Sequence, residues 1–476
     1  MTRPLWSRDE ISALGVDIRG PFAAATGVSI DTRTLAPGDL FVAIAGARDG
    51  HDFVPDALAK GSAAAIVARE EADGLADAGT LLVVDDPLVF MTALGRAARA
   101  RTGARIVAVT GSVGKTGTKE ALRLALGRVG PTHASAASYN NHWGVPLTLA
   151  RMPADTRFGV FEIGMNHAGE IAPLTRTVEP EVAIVTTVEP VHIGHFRSIL
   201  GIADAKGEIF AGMRPGGVAV LPRDNPYYDR LLAHAAASPA GRTISFGEHE
   251  AADVRAVRIA AGADASMVEA RVHDETVAYR IGQPGRHVAL NSLAVLATAA
   301  ALGLDLHEVA GALGGLKPAT GRGERFRLRG AAGEILLIDE SFNANPASMR
   351  AALAALRLTP VPPGGRRIAV LADMGELGEE GPPAHRALSD AVADAGVDLV
   401  FAAGPLMRGM WDALPPALRG AHAPSAAELG PVVLDALRDG DAVVVKGSKF
   451  TLLSKLVPLI RARFEGDAGS ASTVRS

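Results

Sequence analysis

The chain has 476 residues, with 48 Lys and Arg set against 52 Asp and Glu for a formal charge of −4. That length allows about three domains of ordinary size, and a balanced charge without a dense basic run excludes nucleic acid as the principal partner. The absence of cysteine excludes disulfides, thiol nucleophiles and cysteine-ligated zinc, and a composition 48% apolar but only 4% aromatic requires cores built from Ala, Val and Leu.

The first ten residues hold no apolar run of the signal-peptide kind. Residues 1–84 carry short strand-like runs at 28–31, 40–44, 64–67 and 81–84, and are expected to form a small mixed α/β domain. Across 85–314, strand-like runs at 106–109, 159–163, 182–186 and 217–221 alternate with helical stretches. A Val-rich, β-like patch at 252–281 then precedes a helix after His287. The longest apolar stretch, near 293–304, is too short to span a bilayer and reads as a buried Ala-rich helix. Alternation resumes over 315–476 with strands at 334–338, 367–372, 398–402 and 441–445, each followed by a helical segment. The tail from about 465 reads as disordered. The expectation is a cytoplasmic α/β protein without membrane insertion, its parallel sheets covered by helices. Such sheets bind ligands beyond the carboxyl ends of their strands.

The most telling stretch is 106–120, where a β-branched run ends in Gly111-Ser112-Val113-Gly114-Lys115-Thr116 and a helix-compatible segment follows. Glycines let backbone N–H groups approach an anion, the helix end adds partial positive charge, Lys115 adds a full one, and the Thr116 hydroxyl can hold Mg²⁺. The strict P-loop spacing would need glycine at 109, where the chain has Val109. The strand–loop–helix order still points to ATP or a close relative.

Other polar groups follow the apolar runs. Glu162 closes the strand at 159–163 and suits Mg²⁺, a hard cation, or is a solvated acid at a strand end. His192 and His195 lie beyond the strand at 182–186 as metal ligands, a base or plain loop residues. Lys206 by itself reads as a solvated helix lysine. The run Asp339-Glu-Ser-Phe342-Asn343-Ala-Asn345-Pro346 can both cap a helix and bind a ligand. With the loops after 372 and 445, it makes a second binding face.

Together these segments resemble the Mur ligases over nearly the whole chain. Asp31-Thr-Arg-Thr-Leu-Ala-Pro-Gly and Asp49-Gly-His-Asp-Phe are similar to the family's UDP-binding domain. The loop at 110–115, Asn140-Asn-His-Trp-Gly-Val-Pro, Glu162-Ile-Gly-Met-Asn-His-Ala-Gly-Glu and Ala205-Lys-Gly-Glu-Ile are similar to its ATP-dependent core. Asp339–Pro346, written 339–346 in this numbering, and Asp373-Met-Gly-Glu-Leu-Gly resemble the branch that adds D-alanyl-D-alanine. The resemblance implies three domains: a UDP-substrate domain (1–84), a central P-loop parallel-sheet domain (85–314) and a C-terminal Rossmann-like domain (315–476). It implies an ATP-dependent amide ligase acting through an acyl phosphate on UDP-N-acetylmuramoyl-tripeptide and D-Ala-D-Ala, working as a monomer.

The same resemblance implies residue roles. ATP would meet Gly111, Ser112, Val113, Gly114, Lys115, Thr116, Asn291, Arg322, Asp339, Phe342 and Asn343. Two Mg²⁺ ions would be held by Thr116, Glu162, His192 and a carbamylated Lys206, and Lys115, Glu162, His192 and Lys206 would be catalytic. Substrate contacts would come from Ser29, Asp31, Thr32, Arg33, Gly46, Asn140, Asn141, Asn166, His167, Lys446 and Ser448. The chain departs from the pattern in places: Phe342 stands where the family usually has Tyr, Glu340 replaces a common Asp, Lys449 a common Arg, and His195 has no family role. A folylpolyglutamate-synthase-like ligase would share the core but lack the UDP-type first block.

Overall fold

The computed structural model describes residues 4–465 except 137, 192, 197, 331 and 332. The expected tail disorder lies outside the described residues, as does His192. Three large sheets organise the chain, beside a two-stranded antiparallel ribbon of Trp6–Ser7 and Ala24–Ala25. The first has the strand order Asp17–Arg19, Leu81–Val84, Ala64–Ala68, Asp39–Val42, Gly27–Ser29. Its last four strands run parallel, and Asp17–Arg19 lies antiparallel along one edge.

The second sheet has nine strands, with Arg105–Thr110 between Val182–Val185 and Phe158–Glu162. Both neighbours are parallel to it. Successive side chains of a strand point to opposite faces, so Arg105–Thr110 feeds two cores at once. Val107 and Val109 join the core under the helices Lys115–Val129 and Arg286–Leu302. Ile106 and Ala108 join the core under Gly144–Ala150, Ile171–Val178 and Ile199–Gly207. Each fully buried Val or Ile contributes about 1.5–3 kcal/mol, which this strand collects on both faces through Ile106, Val107 and Val109. The 252–281 patch becomes three strands, Val254–Ala261, Ser266–Val272 and Glu275–Ile281, paired antiparallel at the far end of the sheet. In the last two, buried and exposed residues alternate, as in a sheet with one wet face.

The third sheet has the order Glu324–Arg329, Glu334–Asp339, Ala442–Lys446, Arg367–Ala372, Leu399–Ala403, Arg419–Ala423. Every pairing is parallel except the first. Strands read from apolar runs appear within a residue or two of their expected ends. Thr132–Ala134, Arg242–Gly247, Glu324–Arg329 and Arg419–Ala423 are additional strands that the apolar pattern does not announce. Three of them sit at sheet edges, where one side of the strand meets solvent and apolar residues are not demanded.

The first body is fastened to the second through Arg101. Its guanidinium lies 3.9 Å over the Trp6 ring and donates to Leu5 O at 2.7 Å, Glu10 Oε1 at 3.0 Å and Met152 O at 3.2 Å. Trp6, 1% exposed, donates its indole N–H to Ala150 O at 2.9 Å. The second and third bodies meet where Gly194 N donates to Glu376 O at 3.1 Å and Arg322 Nη2 donates to the Ser138 hydroxyl at 3.5 Å. Removing Arg101 orphans a carboxylate and two carbonyls and uncovers the indole. Arg101→Ala is therefore expected to lower stability by about 2–4 kcal/mol, read as an earlier first transition in denaturant. Arg123→Ala, which loses only a surface pair with Glu120, is expected to cost less than about 1 kcal/mol.

Candidate active site

The site begins where the strand Arg105–Thr110 stops. Gly111 has φ +148° and Gly114 φ +88°, values that favour glycine. Space matters as much: a Cβ at Gly111 would strike the Thr186 hydroxyl, and one at Gly114 the Asn291 amide. Ser112 N donates to Thr187 O at 2.8 Å, and Thr186 Oγ1 donates to Val113 O at 2.6 Å. The Ser112 hydroxyl exchanges bonds with Glu189, donating at 3.0 Å and accepting at 2.9 Å. The loop is thus pinned to the neighbouring strand end, with Gly114 as the residue before the helix Lys115–Val129. Glycine at 109 is unnecessary because Val109 is still inside the sheet, fully buried. Lys115 folds back so that Nζ donates to Gly111 O at 2.6 Å. Desolvation in the cleft lowers its pKa, Glu162 works in the opposite direction, and Arg322 adds repulsion.

Glu162, 1% exposed at the end of its strand, is held by two donors. Thr116 Oγ1 reaches Oε2 at 2.9 Å and Asn140 Nδ2 reaches Oε1 at 2.7 Å. Its backbone N–H also faces the Ser135 hydroxyl at 3.3 Å. Phosphate loop, carboxylate and the 135–141 segment therefore form one unit. This donor set suits Mg²⁺: a buried carboxylate beside a hydroxyl, both hard oxygens, next to an anion-binding helix end. Asn141 is used differently, since its Oδ1 accepts from Gly144 N, the first amide of the helix Gly144–Ala150, at 2.9 Å.

Lys206 differs most from a plain reading of its residue type. It is only 3% exposed, on the inner side of the helix Ile199–Gly207, and no hydrogen bond or ion pair from its ammonium occurs among the described residues. Burial, seconded by Lys115, drives its pKa well below the ordinary lysine value. The solvated surface lysine expected from sequence physics is overturned, because helix neighbours such as Ile202, Ala203 and Ala205 are core residues. Only an unprotonated amine adds CO₂, so a lysine whose pKa is lowered by burial fits the carbamate chemically.

The loop after Glu162 carries Asn166 and His167, both exposed. Asn166 N donates to Glu170 Oε2 at 2.8 Å, and the His167 ring lies 3.0 Å from Glu170 Oε1. His195, which had no role in the sequence reading, packs its ring 4.8 Å from that of His167.

The third body presents a facing edge. The Arg322 guanidinium lies 3.9 Å over the Phe342 ring, and burial lowers its pKa. Asp339, 5% exposed, accepts from Ser341 N at 2.9 Å and the Ser341 hydroxyl at 2.6 Å, which fixes the turn bearing Phe342 and Asn343. Asn345 caps the next helix with Pro346 in its first turn, as the residue order predicts. Lys446 and Ser448 are brought to this edge but spend their polar atoms on the protein. Lys446 Nζ donates to Asn343 O at 2.9 Å and Glu340 O at 3.3 Å, and Ser448 Oγ accepts from Gly375 N at 2.8 Å. Lys449 is exposed.

In the first body, Ser29 is buried and donates to Asp31 O at 3.1 Å, while Asp31 pairs with Arg33 at 2.5 Å. Arg33 drives the Asp31 pKa down to about 2. Thr32 lends its carbonyl to Lys60 at 3.1 Å, and Gly46 lies on the exposed loop that follows Asp39–Val42. These groups form a separate cluster from the Lys115–Glu162–Lys206 centre. Sequence reasoning missed Ser135, Ser138, Thr186 and Glu208; their only signal is position just past a strand or beside a motif residue.

Three family models match consecutive parts of the chain: the Mur ligase family catalytic domain at 24–99, the Mur ligase middle domain at 109–299, and the Mur ligase glutamate ligase domain at 324–449. The Escherichia coli K12 UDP-N-acetylmuramoyl-tripeptide–D-alanyl-D-alanine ligase is 35% identical over 82% of this chain and 84% of its own. The crystal structure of MurF from Acinetobacter baumannii superposes with a TM-score of 0.83 at 28% identity, covering 96% of this chain and 98% of that one. MurF from Thermotoga maritima, solved in complex with ADP, shares the fold with a TM-score of 0.75 at 24% identity, covering 92% and 97%. With a glycine loop, a buried strand-end carboxylate and a buried lysine gathered at one sheet edge, and sequence likeness running through all three bodies, the chain belongs to the Mur ligase family.

Proposed function

We infer that the protein joins D-alanyl-D-alanine to the terminal carboxylate of UDP-N-acetylmuramoyl-tripeptide, using ATP, in the synthesis of peptidoglycan precursor. The observation that carries this is the convergence of Lys115, Thr116, Glu162, Asn140 and Lys206 at one strand edge, opposite the Arg322 and Asp339 edge of the third body.

The uncatalysed problem is electrostatic, since a carboxylate must approach a triphosphate. The first N–H groups of the helix at Lys115 and the Lys115 ammonium take up phosphate charge. A carboxylate oxygen of the tripeptide attacks the γ-phosphorus, and the bond from phosphorus to the bridging oxygen breaks, releasing ADP and leaving an acyl phosphate. The amine of the dipeptide then attacks the acyl carbon; the C–N bond forms, phosphate leaves with the C–O bonding pair, and the nitrogen gives up its proton to the departing phosphate or to solvent. With an α-amino pKa of about 8, roughly a fifth of the amine is already neutral at pH 7.4, so no dedicated strong base is required. Thr116, Glu162, His192 and carbamylated Lys206 would hold two Mg²⁺ ions, which supply charge neutralisation between ATP and carboxylate.

Separate bodies divide the substrates: residues 1–84 hold the UDP end through Ser29, Asp31, Thr32, Arg33 and Gly46, residues 85–314 hold ATP, and residues 315–476 hold the dipeptide. Asn166 and His167 face the tripeptide side, and Asn291 and Phe342 flank the adenine. Closure of the third body on the second excludes water from the acyl phosphate. The same reading makes the protein a cytoplasmic monomer, where ATP and the UDP-linked precursor meet; no described helix is long and apolar enough to cross a membrane.

Lys115→Ala is expected to lower phosphate release by at least about 10³-fold with all substrates present, measured by a coupled phosphate assay; retention of full turnover refutes the assignment. Lys206 gives a pH test. Because its folded pKa is lowered, the folded state binds fewer protons than the unfolded one, so its contribution makes stability rise with pH up to the unfolded value near about 10.4. In CO₂-free buffer, Lys206→Met is expected to be inactive yet more stable than wild type at pH 7, with the gain shrinking toward pH 10. Thermal melts across that range check it; equal pH profiles for the two proteins would refute the lowered Lys206 pKa.

A further inference from the structure

The Ala205-Lys-Gly-Glu-Ile run contains a second ionisable residue that the chemistry above does not use. Glu208 follows the Lys206 helix by one residue, and its carboxylate reaches across to a different segment. Oε1 accepts from Gly169 N at 2.6 Å, and Oε2 accepts from Ile171 N at 3.1 Å and Ala172 N at 3.2 Å. These amides open the helix Ile171–Val178, where backbone donors lack intrahelical acceptors and the helix end favours negative charge. The helix has no cap of its own, because Glu170 at the capping position turns its carboxylate to Asn166 N and His167. Capping is supplied instead from 36–39 residues away.

The packing leaves this arrangement little freedom. Gly169 has φ +88°, which brings its N–H into line. A Cβ at Gly212 would run into the Thr175 and Arg176 backbone, so the segment after Glu208 lies flush against the same helix. Glu208 thus ties the end of the helix that carries Lys206 to the loop that presents Asn166 and His167.

We propose that Glu208 is a positioning residue for the ligation, locking the 166–170 loop to the Lys206 helix so that both sides of the acceptor site keep a single spacing. The proposal rests on the reading that Asn166 and His167 meet the UDP-linked tripeptide.

Glu208→Gln keeps the shape but replaces an acceptor oxygen with an N–H₂ group that opposes the amides. With the full-length enzyme, KM for UDP-N-acetylmuramoyl-tripeptide is expected to rise at least tenfold while KM for ATP stays within twofold. Hydrogen exchange at 169–172 is expected to accelerate while that at 111–118 stays unchanged. Glu208→Asp, which keeps the charge one methylene short, is expected to fall between wild type and Gln, and carries the same test if Gln fails to fold. A KM for the tripeptide equal to wild type in whichever variant folds, or an equal rise in both KM values, overturns the proposal. Turnover by the wild-type protein is measured alongside: its absence overturns the underlying reading, whereas its presence with unchanged variant constants overturns the role of Glu208.

Discussion

A single buried carboxylate sets the geometry of this protein's centre. Glu162 receives Thr116 from the phosphate-loop helix and Asn140 from the segment that follows the edge strand. Two chain elements that share no strand pairing are thereby referred to one oxygen pair. Burying a carboxylate this completely is costly unless its lone pairs are used, and here each oxygen has a donor. Ligand chemistry can enter only where the same oxygens retain capacity, which ties the integrity of the fold and the holding of a cation to one side chain.

Lys206 shows the opposite arrangement, a residue only 3% exposed whose ammonium makes no hydrogen bond or ion pair among the described residues. A core would not keep an ammonium there for stability, and its cost is relieved by losing the proton. The neighbouring Lys115 strengthens that tendency, so two lysines near one another settle into different roles: one pinned to Gly111 O, the other with its pKa driven well below the ordinary lysine value. Arg322, crossing from the third body to Ser138, adds a guanidinium to the same space. Such a density of positive groups is stable only around an anion, which is what a nucleotide brings.

Much of this was legible in the residues. The central parallel strands and the phosphate loop could be read from β-branched runs ending in glycine, because strands buried on both faces must be apolar throughout. The Asn345–Pro346 helix start followed from capping chemistry alone. The edge strands Thr132–Ala134 and Arg419–Ala423 were illegible, since half-exposed strands tolerate His and Arg. Burial of Lys206 could not be read from periodicity either, as its helix carries apolar residues on several sides. The reach of Lys446 and Ser448 into backbone carbonyls and amides was invisible because those partners lie about 70 or 100 residues away in sequence.

The third sheet ends in Glu324–Arg329, whose exposed positions are Arg327 and Arg329. That border offers unsatisfied main-chain groups, as any terminal strand does, but a second copy approaching it would bring guanidinium against guanidinium. Charged margins of this kind discourage strand addition between molecules. Two arginines on the last strand therefore keep a sheet that is otherwise open at this side from being extended by a second copy.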